Sequence, residues 1–92
     1  MRESYGIAAF RSRQQVLALE GALKREGISS VRVVSTPRDV ALGCGLSVYF
    51  PLEEQERVKR IVYQTRPTNM IGIYRVDREN GRSHLTALAT QR

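Results

Sequence analysis

The stretch ISSVRVVSTPRDVALGCGLSVYFP, residues 28–51, decides the fold. Ile28 to Val34 is rich in β-branched residues, with Arg32 alternating against Val31 and Val33, which predicts a strand ended by Pro37. Leu46 to Phe50 predicts a second strand, stopped by Pro51. Between them, Ser35 to Gly45 has no regular period and holds Pro37, Gly43 and Gly45, so it reads as one long loop.

Upstream, Tyr5 to Phe10 is a short run of apolar and small residues that reads as the first strand. Ser12 followed by Gln15 matches a capping box, and Val16, Leu19 and Leu23 recur at helical spacing, with Leu17 and Ala22 widening the apolar stripe. Lys24 and Arg25 oppose the helix dipole and Gly27 suits the residue after a helix, so the first helix is expected from Arg13 to Glu26.

Downstream, Pro51 fits a helix's first turn; Glu53, Glu54 and Glu56 precede Arg57, Lys59 and Arg60 in the order the dipole favours. Val58, Ile61 and Val62 supply its buried side, Arg66 and Pro67 end it, and Ile71 to Tyr74 gives a fourth strand. The order βαββαβ with right-handed crossovers predicts an α+β, ferredoxin-like sandwich. It would have a four-stranded antiparallel sheet in order 4-1-3-2 and both helices on one face. Residues 1–76 are expected to form this single domain and residues 77–92 a polar C-terminal tail, flexible or adding a short element.

A chain of 92 residues supports one hydrophobic core, so one compact unit carries any function. No run approaches the roughly 20 apolar residues of a membrane helix, Met1 to Gly6 does not resemble a secretory signal, and a lone cysteine forms no internal disulfide. These features predict a cytoplasmic protein without a membrane partner. The net charge of +6 is diffuse, with acids interspersed among the cations, which suits an acidic protein partner, weak nucleic-acid binding or solubility alone.

The predicted topology puts the loop between the second and third strands at the same end as the start of the first helix. Cys44 would therefore lie near Ser12, the helix amino end, Arg11, Arg13 and Arg38, a setting that favours thiolate over the ~8.5 pKa of a free cysteine. Gly43 and Gly45 leave room for a partner to approach. The competing reading makes Cys44 a small buried hydrophobe and the glycines parts of a tight turn.

Metal binding is disfavoured, because a zinc or soft-metal site needs three or four ligands and the chain has one Cys and one His, His84. Independent nucleophilic catalysis is disfavoured too, because no base is positioned by motif beside Cys44. If Ile7, Ala9, Val31, Val33, Leu46, Val48, Phe50, Ile71 and Ile73 face the helices, the opposite face carries Gly6, Ala8, Ser47, Tyr49, Gly72 and Tyr74. Tyr49 and Tyr74 make that face a candidate surface for a homodimer, a protein partner or RNA. RNA is the weaker fit, because Gly45 to Phe50 lacks the basic residue and second glycine of the RNA-recognition signature.

Phe10 and Ser12 entering the first helix, Glu20 within it, Gly27 and Ile28 after it, then Pro37, Arg38, Cys44, Gly45 and Leu46 form a pattern over about Tyr5 to Arg75. In this pattern the chain resembles a family of small bacterial selenium/sulfur carrier-like proteins, which also occur fused to or encoded beside sulfur-transfer proteins. The chain departs from the family at Ser35, where a proline is expected, and at Ala41 and Leu42, where small hydroxyl residues are expected. The resemblance implies that Cys44 holds sulfur or selenium as a persulfide or selenosulfide and passes it between donor and acceptor proteins, with Arg38 stabilising the anion. No dissociable cofactor is implied, only a covalent chalcogen on Cys44.

Overall fold

The computed structural model describes residues 3–37, 39, 43–67 and 69–90. Strand β1 spans Glu3–Phe10, α1 Arg13–Arg25, β2 Arg32–Ser35, β3 Leu46–Phe50, α2 Gln55–Thr65, β4 Met70–Glu79 and β5 Arg82–Thr90. A 3-10 turn, Leu52–Glu54, leads into α2 after Pro51. The strands form one antiparallel sheet in the order β2-β3-β1-β4-β5.

The expectation of a four-stranded sheet is therefore corrected to five. The expected pairings of β3 with β1 and β2, and of β1 with β4, are present, and of the two forms expected of the C-terminal segment, flexible tail or added element, residues 77–90 take the second. Residues 77–79 complete β4, the proposed boundary at residue 76 falls inside that strand, and Arg82–Thr90 adds an outer one. Asn80 and Gly81, with φ of 54° and 79°, make the two-residue connection; an Asn-Gly pair adopts this left-handed geometry readily and its twist matches the flanking strands.

Ser12 is the N-cap of α1 with extended backbone, but its side chain makes no capping bond; its carbonyl instead accepts from the N–H groups of Gln15 and Val16. Val16, Leu19 and Leu23 of α1 and Val58, Ile61 and Val62 of α2 join Ala8, Phe10, Val48, Phe50 and Ile73 in one core. Leu17, expected to widen the apolar stripe, stands half exposed. The side-chain period along β1 is opposite to the one expected. Gly6, Ala8 and Phe10 face the helices, while Ile7 and Ala9 lie on the other face. Gly6 pairs directly with Phe50, and any Cβ there would overlap the Phe50 ring, so the aromatic side chain fills the space that the glycine leaves.

Candidate functional site: the Cys44 turn and the tyrosine-bearing face

On the face away from the helices, cross-strand pairing sets Arg32, Tyr49, Ile7, Tyr74 and Ala87 opposite one another across all five strands. Tyr49 and Tyr74 thus share the face expected of them, with Ile7 between them. Tyr5, diagonal to Tyr49, brings its ring centroid to 5.4 Å, and the Arg32 guanidinium lies 4.2 Å above the Tyr49 ring. Tyr49 is therefore packed against its neighbours and is not a free platform for stacking a base. Burial pushes the Tyr5 phenol up, against the opposing pull of Arg78.

Between β2 and β3, Thr36, Pro37, Asp39 and Gly43 to Gly45 are described. The backbone N–H of Thr36 donates to the carbonyl of Gly45 at 2.8 Å, closing the base of the loop, and the buried hydroxyls of Thr36 and Ser47 share a 2.7 Å hydrogen bond. Pro37 is buried. Asp39 then accepts a hydrogen bond from the backbone N–H of Ser83, on β5, at 2.7 Å. Because β2 and β5 are the two edges of the sheet, Asp39, which follows β2 in the chain, bonds to the opposite edge strand. The Ser83 N–H, helped by the nearby Arg78 charge, holds the Asp39 carboxyl below its ordinary range.

At the end of β1 the backbone N–H of Cys44 donates to the carbonyl of Phe10 at 3.1 Å. Gly43 makes that approach feasible: its φ is +60°, and a Cβ there would overlap the Phe10 carbonyl oxygen and lie 2.9 Å from Cδ1 of Ile71. Ile71 sits where the β1–β4 register slips between Ala9 and Phe10, a bulge that carries it toward the turn. The glycine therefore serves backbone packing inward. A side chain at Gly45 would meet nothing within 4 Å, so that flank of the turn is open.

Cys44 itself is exposed, which overturns the buried-hydrophobe reading. Its Sγ lies 3.8 Å from the carbonyl oxygen of Leu46, a long sulfur contact. Through Phe10 the turn sits at the junction that leads by way of Arg11 into the amino end of α1, as the topology predicted. Arg11 and Arg13 are exposed and Ser12 half-buried, and among the described residues none of the three bonds to the thiol. Arg38, the fourth polar residue expected here, lies outside the described residues, as do Ala41 and Leu42.

No group of three or more His, Cys, Asp or Glu side chains that could hold a metal ion occurs among the described residues. His84 lies on β5 opposite Asp77, far in sequence from Cys44. Among the described residues no helix is long and apolar enough to cross a membrane. Sequence reasoning missed Tyr5, by assigning β1 the wrong face, and Asp39, whose partner is remote in the chain.

No curated protein and no solved structure matches the chain. The model of the family described as "Putative Se/S carrier protein-like" matches residues 5–75, a span that starts on β1, contains the whole Cys44 turn and ends within β4. The chain belongs to this Se/S carrier protein-like family.

Proposed function

We propose that the protein carries sulfane sulfur or selenium on Cys44 between a donor and an acceptor protein. The observation that carries this reading is an exposed thiol on a turn whose backbone is fastened to the end of β1, in a chain of the Se/S carrier-like family. The chemistry needs one thiol. The Cys44 thiolate attacks the outer sulfur of a donor persulfide, a new S–S bond forms as the donor's own S–S bond breaks, and the donor cysteine leaves as thiolate. Attack by an acceptor nucleophile on the outer sulfur reverses the exchange and returns Cys44 as thiolate. No net oxidant is required, and a selenium atom follows the same course.

Arg38 is the proposed stabiliser of the persulfide anion, by its place in the family pattern, with Arg11 and Arg13 adding positive charge beside the turn. The open flank at Gly45 gives a donor loop its approach. The tyrosine-bearing face is the proposed docking surface for the transfer proteins. The first four strands with their two helices are read as a ferredoxin-like core to which β5 is added. The test is the intact mass of the protein after incubation with a cysteine desulfurase and cysteine. Gain of one sulfur atom in the wild type and none in Cys44→Ala supports carriage; no gain in either, with donor persulfide formed, overturns it.

A further inference from the structure

The charges of the chain are divided unequally between its two ends. All nine acidic residues are described, and none lies at the end that carries Cys44. Glu3 opens β1 and Glu26 follows α1, while the acids of residues 53–56 lead into α2 and those of residues 77–79 close β4. Asp39 is bonded to Ser83, beside the β4–β5 connection at that same end, and Glu20, midway along α1, is paired with Lys24. Between Glu3 and Phe10 the strand covers about 23 Å, more than twice the roughly 8 Å over which physiological salt screens a charge. Toward the acid-rich end Arg57, Lys59 and Arg75 pair with Glu54, Glu56 and Asp77.

Three arginines gather instead at the Cys44 end. Arg11 follows Phe10, whose carbonyl holds the Cys44 N–H, Arg13 opens α1, and Arg66 caps α2. The backbone N–H of Arg11 donates to the carbonyl of Asn69 at 2.7 Å, which joins the chain entering α1 to the chain leaving α2. All three arginines are exposed, and among the described residues none of them pairs with an acid. Arg66 is held in the left-handed region, at φ 47°, in a cap position where glycine is the unstrained choice. A side chain kept there against the backbone's preference points to a use for it. Tyr63, in the last turn of α2, is 82% exposed, and tyrosine and arginine are residues that protein interfaces favour.

We propose that this end is the contact site for a protein that surrounds its own sulfur-bearing cysteine with acidic side chains, so that Arg11, Arg13 and Arg66 steer that sulfur onto Cys44. The proposal rests on the carrier reading and names the kind of partner it uses; the contact is additional to the tyrosine-bearing face. A cationic rim whose balancing acids lie beyond screening range speeds encounter with an anionic surface and repels a cationic one. A nucleic acid fits less well. Its phosphates call for a cationic track along the surface, whereas these arginines lie together at one end, beside a thiol that phosphate binding does not use.

The probes are two synthetic peptides, each with a central cysteine activated as its thiopyridyl disulfide, one flanked by glutamates and the other by lysines. The Cys44 thiolate attacks the peptide sulfur, a new S–S bond to the peptide forms, and the bond to the pyridyl sulfur breaks and releases thiopyridone, which absorbance follows. The ratio of the two rates is the readout, so a change in thiol acidity cancels. Wild type at low salt is expected to react about tenfold faster with the glutamate peptide, and about 0.5 M salt should remove the difference. Arg11→Gln/Arg66→Gln should lose most of this preference, whereas Arg25→Gln/Arg82→Gln, which removes the same charge from the opposite end, should keep it. Arg66→Gly should weaken the preference in a protein whose urea midpoint is no lower than that of wild type, which separates docking from folding. Equal rates for the two peptides with wild type, an equal loss of preference in the opposite-end variant, or protection of Cys44 from the glutamate peptide by equimolar single-stranded RNA would overturn the proposal. The two readings fail separately: sulfur uptake from the desulfurase without a peptide preference removes the acidic partner alone, and a peptide preference in a protein that takes up no sulfur removes the carrier alone.

Discussion

The backbone N–H of Cys44 donates to the carbonyl of Phe10, the last residue of β1, across 3.1 Å. The position of the thiol is thereby set by a fully buried residue of the central sheet rather than by the loop in which the cysteine lies. A turn that would otherwise wander gains a fixed origin at the β1–α1 junction. A donor protein then meets the sulfur in one place, which lowers the ordering cost of docking.

Gly43 is what allows that bond, because its backbone lies against the Phe10 carbonyl in the left-handed region. Gly43→Ala is expected to cost about 1–3 kcal/mol, from the strained φ together with the overlap. It should also break the Cys44 to Phe10 hydrogen bond. Urea unfolding gives the first quantity, and the exchange rate of the Cys44 amide gives the second; an unchanged Cys44 amide would show that the turn does not depend on the glycine.

Gly6→Ala tests the core from the other side of the sheet. The new methyl group would collide with the Phe50 ring, which is fully buried and cannot swing into solvent. Overpacking of this kind costs about 1–3 kcal/mol. Phe50→Leu alone is expected to destabilise by leaving a gap, and adding Gly6→Ala to it should cost less than in wild type, a coupling that a double-mutant cycle in urea reads directly.

How much of this was legible in the sequence differs from element to element. Leu46 to Phe50 was readable to the residue because Gly45 and Pro51 bracket a β-branched and aromatic alternation. Gly6 to Ala9 was not, because Ile7, Ala8, Ala9 and Phe10 are all fully buried, and a strand covered on both faces leaves no polar alternation to say which side is which. The hairpin to β5 carried a usable signal, Asn80-Gly81, that the polarity of its flanking residues masked. The two glycines beside Cys44 suited both an exposed tip and a tight turn around a buried thiol, and only the folded chain decides for exposure. The tie from Asp39 to Ser83 spans 44 positions and leaves no local pattern, so only the folded chain displays it.

The added strand depends on its turn. Gly81 has a φ of +79°, and Gly81→Ala is expected to cost about 1–2 kcal/mol by forcing a Cβ into that region. If β5 is an integral part of the sheet, the loss appears in global unfolding. A normal urea midpoint, with fast exchange confined to residues 82–90, would make β5 a separately opening flap.

The Asp39 contact sets a pH dependence whose sign is fixed. Its carboxyl is held below the ordinary 3.8 chiefly by the Ser83 N–H, so the folded state favours the charged form. A depressed folded value contributes stability that is fully present above 3.8 and disappears as pH falls through the lowered folded value. Wild type should therefore lose Ser83 amide protection on acidification through this range, after correction for intrinsic exchange, whereas Asp39→Asn should show a flat response. Matching curves for the two proteins would place the acid sensitivity elsewhere.

Cys44→Ser separates the chemistry of the thiol from its part in the fold. The side chain is exposed and, among the described residues, its one polar contact is a 3.8 Å approach to a carbonyl, so the substitution is expected to change stability by no more than about 0.5 kcal/mol. Nothing in the packing of the sheet needs the sulfur. Sulfur uptake from a donor persulfide should nevertheless vanish, because a hydroxyl at this position forms no stable bond to sulfane sulfur. A stable, folded variant without uptake assigns the cysteine to chemistry. A variant that unfolds several kcal/mol more easily would instead assign it to the architecture of the turn, and the carrier reading would lose the residue on which it rests.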